Sequence, residues 1–262
     1  MPYGSVNDME YLESVHNNLI KLDKQKEKKE VLTNAMENWV KGMMEACGGY
    51  VKAWDVVNEP LAGADKDGDG WYDLQSVNNV SAEDAKNNFY WQDYLGDDYV
   101  RTAIQLTRKY GPEDMKLFIN DYNLESDWDD NMKLKSLINW IERWEKDGTK
   151  IDGIGTQMHV SYYMNPATQA SKENAIINMF TLLASTGKLI KITELDMGIV
   201  DKAFGTAIKT ENVTYEQQLK MAEFYQFIIS KYFEIIPVEQ QYGITQWCAT
   251  DSPADSGWRP GE

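Results

Sequence analysis

Two glutamates in this sequence stand where strand-like segments end: Glu59 in WDVVNEP and Glu194 in ITELDMG. Pro60 stops the first segment and fixes the Glu59 carboxylate at its C-terminal edge, which is the catalytic edge of parallel α/β architectures. Asp196 follows Glu194 by two positions, near the same edge of its own strand. Two carboxylates brought to one mouth are what glycosidic cleavage requires. One carboxylic acid protonates the leaving oxygen, and one carboxylate works on the opposite face of the sugar ring. A separation of about 5 Å makes the second carboxylate a nucleophile and retains configuration, whereas about 9 Å leaves room for a water.

Positioning such a pair falls to a repeated strand–helix pattern. Short apolar runs at 50–58, 115–121, 151–160, 189–197 and 242–249 read as strands, and stretches of helical periodicity separate them. Those stretches repeat apolar residues at i, i+3, i+4 and i+7: Tyr99, Ala103, Leu106 and Tyr110; Leu134, Leu137, Ile138 and Ile141; Ile176, Met179, Phe180 and Leu183; Leu219, Ala222, Tyr225 and Ile229. A further helix, from about Glu30 to Ala46, precedes the first strand, with Val31, Ala35, Trp39 and Met43 on one face. The alternation predicts an α/β fold with parallel strands. Five strands are three short of a closed (β/α)8 TIM barrel. Residues 1–29 are polar and read as a linker or remnant, leaving 30–262 as part of one barrel.

Composition narrows the partners. The formal net charge is −16, with 42 acidic against 26 basic residues, which disfavours nucleic acid and anionic lipid and tolerates a neutral ligand. No stretch reaches the apolar run of about 18 residues that a membrane span needs. Cys47 and Cys248 have neither metal-ligand nor redox spacing, and their places at opposite ends of the strand–helix layer argue against a disulfide. The start, MPYGSVNDMEYLESV, lacks the basic and apolar regions of a secretory signal.

In ADKDGDGWYDLQS, Asp65, Asp67, Asp69 and Asp73 fall at positions one, three, five and nine of a calcium loop, with Gly70 at six. Ser76 stands at position twelve, where a bidentate glutamate is expected. An acidic glycine-rich turn accounts for the run as well. A structural calcium is the one cofactor candidate, and the carboxylate chemistry requires none.

In that order and at those intervals, WDVVNEP, KLFINDYN, GIGTQMHV, KITELDMG and ITQWCATDSPADSGWRP resemble the fourth to eighth strand motifs of glycoside hydrolase family 10, over roughly residues 30–260. The resemblance implies a (β/α)8 barrel, a retaining mechanism, and endo-hydrolysis of β-1,4-xylosidic bonds in xylan or xylo-oligosaccharides. It makes Glu59 the acid/base and Glu194 the nucleophile. Asn58 would bond the sugar 2-hydroxyl or the nucleophile, and His159 would hold and polarise Glu194. Gln157, Trp247 and Trp258 would shape the subsite of cleavage, with Tyr122 on the leaving-group side. A lone histidine is more often a satisfied core residue, and tryptophans such as Trp140 and Trp144 at helical spacing are packing.

Relative to the family pattern the first three strands and the last helix are absent. The resemblance therefore implies an incomplete barrel whose partner is the missing N-terminal part of the same barrel. An enzyme acting on plant polymer is expected to be secreted, periplasmic or at the cell surface. Two other functions fit: a β-1,4-glucanase or cellobiohydrolase, which shares related motifs, and a non-catalytic carbohydrate- or calcium-binding fragment.

Overall fold

A computed structural model describes residues 25–202 and 205–250. These divide into two compact units, one from the described part of Met1–Asn120 with Ser136–Gly153, the other from Asp121–Lys135 with the described part of Ile154–Glu262. Trp258 and most of the 1–29 segment lie outside the described residues.

In the first unit, helix α1 (Gln25–Cys47) leads to strand β1 (Ala53–Asn58), two short helices α2 (Ala82–Asn87) and α3 (Gln92–Leu95), helix α4 (Tyr99–Tyr110) and strand β2 (Lys116–Asp121). The helix expected from Glu30 starts five residues earlier. Its buried stripe is Leu32, Ala35, Met36, Val40 and Met44, one position on from the face expected through Val31, Trp39 and Met43. Two apolar stripes run side by side here, and the one carrying Trp39 forms the flank. Helix α1 packs with α4, whose Val100, Ala103, Ile104 and Thr107 are buried. Glycine stands at 111, just past α4, where a Cβ would sit 2.8 Å from the Thr107 carbonyl oxygen and press on the sulfurs of Met44 and Met115.

Strands β1 and β2 pair in parallel from Ala53↔Lys116 to Asn58↔Asn120, with a bulge between Asp55 and Val57. From helix α5 (Met132–Glu145) the first unit takes Trp140 and Trp144, stacked at 5.6 Å between ring centroids. Their indole N–H groups donate to the carbonyls of Tyr72 and Asp97 at 2.9 and 3.0 Å, so both are packing residues.

The second unit holds strand β4 (His159–Tyr163), helix α6 (Pro166–Ser185), the long strand β5 (Leu189–Val200), helix α7 (Tyr215–Ile235) and strand β6 (Gln241–Gln246). The run expected as one strand over 151–160 is two, β3 (Gly153–Thr156) and β4, parted at Gln157 and Met158. Met158 takes a left-handed backbone with φ 63°, which a continuous strand excludes.

Strand β5 pairs in parallel with β4 on one side and β6 on the other. Asn165 caps α6 ahead of Pro166, and a Thr214–Gln217 capping box starts α7. The expected α6 face is the buried one. The α7 face is not: Phe224, Ile228 and Tyr232 are buried, whereas Leu219 and Ile229 are exposed. The aromatic side chains at i and i+8, Phe224 and Tyr232, reach further over the sheet with Ile228 between them and set the helix rotation. Tyr232 ties the layers, donating from its hydroxyl to the Ile190 carbonyl at 2.8 Å and accepting from the Tyr242 N–H.

Among the described residues no helix is long and apolar enough to cross a membrane. Both cysteines are free thiols.

Candidate active site

In the first unit Glu59 is the residue just past β1, with φ 53°. A glutamate in the left-handed region costs about 1–3 kcal/mol and persists only where its surroundings over-determine it. Two hydrogen bonds do so: the Glu59 N–H donates to the Asn120 carbonyl at 2.8 Å, and its own carbonyl accepts from Gln75 Nε2 at 2.7 Å. Asn58 accepts from Asn120 Nδ2 at 2.8 Å, its register partner on β2. Gln75 reaches this place through a loop that folds back on itself, where Leu61 bridges Leu74 and the Gln75 N–H meets the Pro60 carbonyl.

The tip of that loop is the acidic run. Asp65 accepts from the N–H groups of Gly68 and Gly70 at 2.7 and 2.9 Å, and ligand atoms of Asp65, Asp67 and Asp73 lie within 4.8 Å of one another. Asp69 turns elsewhere. It takes the Trp71 N–H and pairs with Arg143 at 2.8 Å. Three of the four aspartates could face one cation, and the fourth braces the loop against α5.

In the second unit the first residue of β4 and the interior of β5 bring three ionisable groups together. His159 and Asp196 are register partners across β4 and β5, and Glu194 stands two residues before Asp196, on the same face. His159 Nδ1 lies 2.7 Å from Asp196 Oδ1, and Nε2 lies 3.3 Å from Glu194 Oε2. Each ring nitrogen faces a carboxylate oxygen, so both are satisfied as donors only in the imidazolium form. Burial works against that charge, but the bonds to Asp196 and then Glu194 outweigh it and push the His159 pKa up to about 9. The side chains of His159, Glu194 and Asp196 are 13%, 17% and 7% exposed, so solvent screens them little.

Neighbouring backbone fixes this group. The Glu194 N–H donates to the Gln157 carbonyl at 3.1 Å, and the Gln157 N–H donates to the Asp121 carbonyl. The Gln157 side chain is buried. The Trp247 N–H bonds the Leu195 carbonyl, and its ring stands edge-on to His159 at 5.9 Å. Trp247 is 43% exposed, which leaves ring surface for a ligand. Tyr122 carries Lys133 Nζ 3.3 Å from its ring centroid, and that ammonium pairs with Asp121 at 2.7 Å, both side chains almost wholly buried.

The structure thus gathers Gln157, His159, Glu194 and Trp247 in the second unit, places Tyr122 with Lys133 in the same unit, and sets Asn58 and Glu59 in the first. Residues 15–262 match the glycosyl hydrolase family 10 profile. The chain belongs to glycosyl hydrolase family 10. Among the family's curated members, an endo-1,4-beta-xylanase A of Cellvibrio japonicus is 30% identical over 209 residues, 78% of this chain and 32% of that protein. A thermostable celloxylanase of Thermoclostridium stercorarium is 31% identical over 176 residues, 67% of this chain and 38% of that protein. The solved structure of xylanase B from Clostridium stercorarium F9 superposes with TM-score 0.67 at 25% identity, covering 87% of this chain and 59% of that one. The chain spans about a third of the length of these curated family 10 relatives. Membership implies the (β/α)8 barrel architecture, to which the parallel strands of each unit conform.

Sequence reasoning put Glu194 and Asp196 near the end of a strand over 189–197 and gave Asp196 no task, whereas β5 runs on to Val200 and holds both inside it. The period-two spacing of Asp196 from Glu194 was the available signal. Lys133 had none, because a lysine in the first turn of a helix reads as solvated surface.

Proposed function

We propose that this chain carries the acid/base and nucleophile of a retaining glycoside hydrolase that cleaves internal β-1,4-xylosidic bonds in xylan. Glu59 protonates the leaving oxygen, and Glu194 attacks the anomeric carbon. Glu59 then takes a proton from the water that releases the glycosyl ester. Asn58 and Gln157 supply hydrogen bonds to the sugar, Trp247 and Trp258 supply ring surface, and Tyr122 contacts the leaving group. The observation that carries this reading is His159 held between Glu194 and Asp196, one ring nitrogen to each carboxylate. With both nitrogens donating, the ring sets a positive charge against the Glu194 carboxylate, and the contact from Nε2 orients that carboxylate for attack.

The same reading takes the chain as strands four to eight of an incomplete barrel, joined to the missing N-terminal part of the same barrel, and takes the whole as secreted, periplasmic or at the cell surface. Alone, the chain is unstable or inactive unless it associates with that part, because unpaired strand edges expose backbone and core. A structural calcium would sit at Asp65, Asp67 and Asp73, and no step needs it. Release of reducing sugar from xylan, by the chain with and without its N-terminal complement, tests the proposal. Activity that Glu59→Gln and Glu194→Gln both abolish is expected, and unchanged activity in either variant overturns it. Carboxymethylcellulose in the same assay addresses a β-1,4-glucanase reading, which the celloxylanase relative favours.

A further inference from the structure

The second unit contains a cavity of about 270 Å³ whose lining includes His159, Ser161, Tyr163, Asn123, Glu125 and Trp128. That volume lies just under the range of pockets for drug-sized ligands and suits something of the size of one sugar ring. Trp128 is 65% exposed, so packing does not account for it. Its position is nevertheless fixed. Lys172, from α6, sets its ammonium 4.8 Å from the Trp128 ring centroid and 5.3 Å from that of Tyr163. Asp127 holds the ammonium in an ion pair in which the two side chains are 19% and 16% exposed. Burial of Asp127 opposes its charge, but hydrogen bonds from Lys172 and Ser171 prevail and keep its carboxyl below the ordinary value.

One mostly buried cation therefore pins two rings, each by one face, and leaves the outer face of Trp128 to solvent. Rings fixed in advance bind without a further entropic cost of ordering. The cavity also reaches His159, the residue that grips Glu194. We propose that Trp128 and Tyr163, pinned by Lys172, form a platform on which a neutral pyranose of the polymer stacks, adjoining the Glu194 site. An indole face matches the apolar C–H face of such a ring, and Asn123 and Ser161 offer hydrogen bonds to its hydroxyls. The cations at this cavity, Lys172 and His159, already face carboxylates, so an acidic substituent on the sugar finds no partner and is disfavoured. The platform deepens the hydrolase reading above and rests on it for the identity of the polymer.

Calorimetric titration of the full chain with xylotriose tests it, alongside a glucuronate-substituted xylotriose and with circular dichroism to show that each variant is folded. Trp128→Ala is expected to weaken xylotriose binding about tenfold, and Trp128→Phe to restore it to within about threefold. Unchanged affinity in Trp128→Ala overturns the platform, as does failure of the folded wild-type chain to bind xylotriose. Equal affinity of wild type for the acidic and neutral sugars overturns the stated selectivity. Xylan hydrolysis on the same preparations separates the two proposals. With the N-terminal complement added, Trp128-dependent binding without hydrolysis leaves the platform standing and removes the catalytic reading. Hydrolysis with binding and KM indifferent to Trp128 removes the platform alone.

Discussion

The protonation of His159 admits a quantitative test. Its folded-state pKa is about 9 against an ordinary 6.5, a gap that corresponds to about 3 kcal/mol at roughly 1.4 kcal/mol per tenfold change. Because the folded pKa is the higher of the two, the folded chain binds this proton more tightly than the unfolded chain. The stabilisation is therefore fully present below pH 6.5, declines as pH rises from 6.5 to 9, and is gone above 9. The chain contains two histidines, His16 and His159, so the imidazole Cε1–H resonances in a proton–carbon correlation spectrum are two, and His16→Gln assigns them. His159 is expected to titrate near 9 and, with Asp196→Asn removing the shorter bond, to fall toward 6.5. Denaturant unfolding of wild type and His159→Gln at pH 6 and pH 10 should show a stability difference that shrinks by about 3 kcal/mol at the higher pH. A His159 resonance titrating at or below 6.5, or one indifferent to Asp196→Asn, refutes the imidazolium bridge.

Three further outcomes follow from the same structure. Lys133→Met strands the buried Asp121 carboxylate and is expected to cost about 3–5 kcal/mol in urea unfolding, while the double change with Asp121→Leu recovers most of it. Asn131→Ala removes a side chain that donates to the Leu124 and Ala175 carbonyls at 2.9 and 3.2 Å, and should lower stability by about 1–3 kcal/mol. Calorimetric titration with calcium is expected to give a weak saturable signal that Asp65→Asn abolishes and Asp69→Asn preserves, because Asp69 faces Arg143; no saturable heat removes the loop as a metal site.

The helices were legible because burial imposes a period on the sequence, strong in α4, and β2 as a short apolar run buried on both faces. The period failed where two apolar stripes compete. In α1 and α7 the hydrophobic residues outnumber the positions one buried face can hold, and only the partner surface selects Leu32, Met36 and Val40, or Phe224, Ile228 and Tyr232. The break between β3 and β4 left no trace, since methionine has no preference for the left-handed backbone that Met158 adopts. At the site, the positions of His159 and Glu194 could be read from the motifs, and the charge state of His159 could not. That charge depends on Asp196 and on burial, which are properties of the folded chain.

The left-handed backbone at Glu59 has a bearing on how this sequence can change. A glycine at 59 would adopt the same φ without steric conflict and relieve the local strain, so the substitution most favourable to the backbone there deletes the carboxylate. Selection for stability alone would drift toward that glycine. A glutamate kept at φ 53° instead records a requirement on the side chain that the fold by itself does not make.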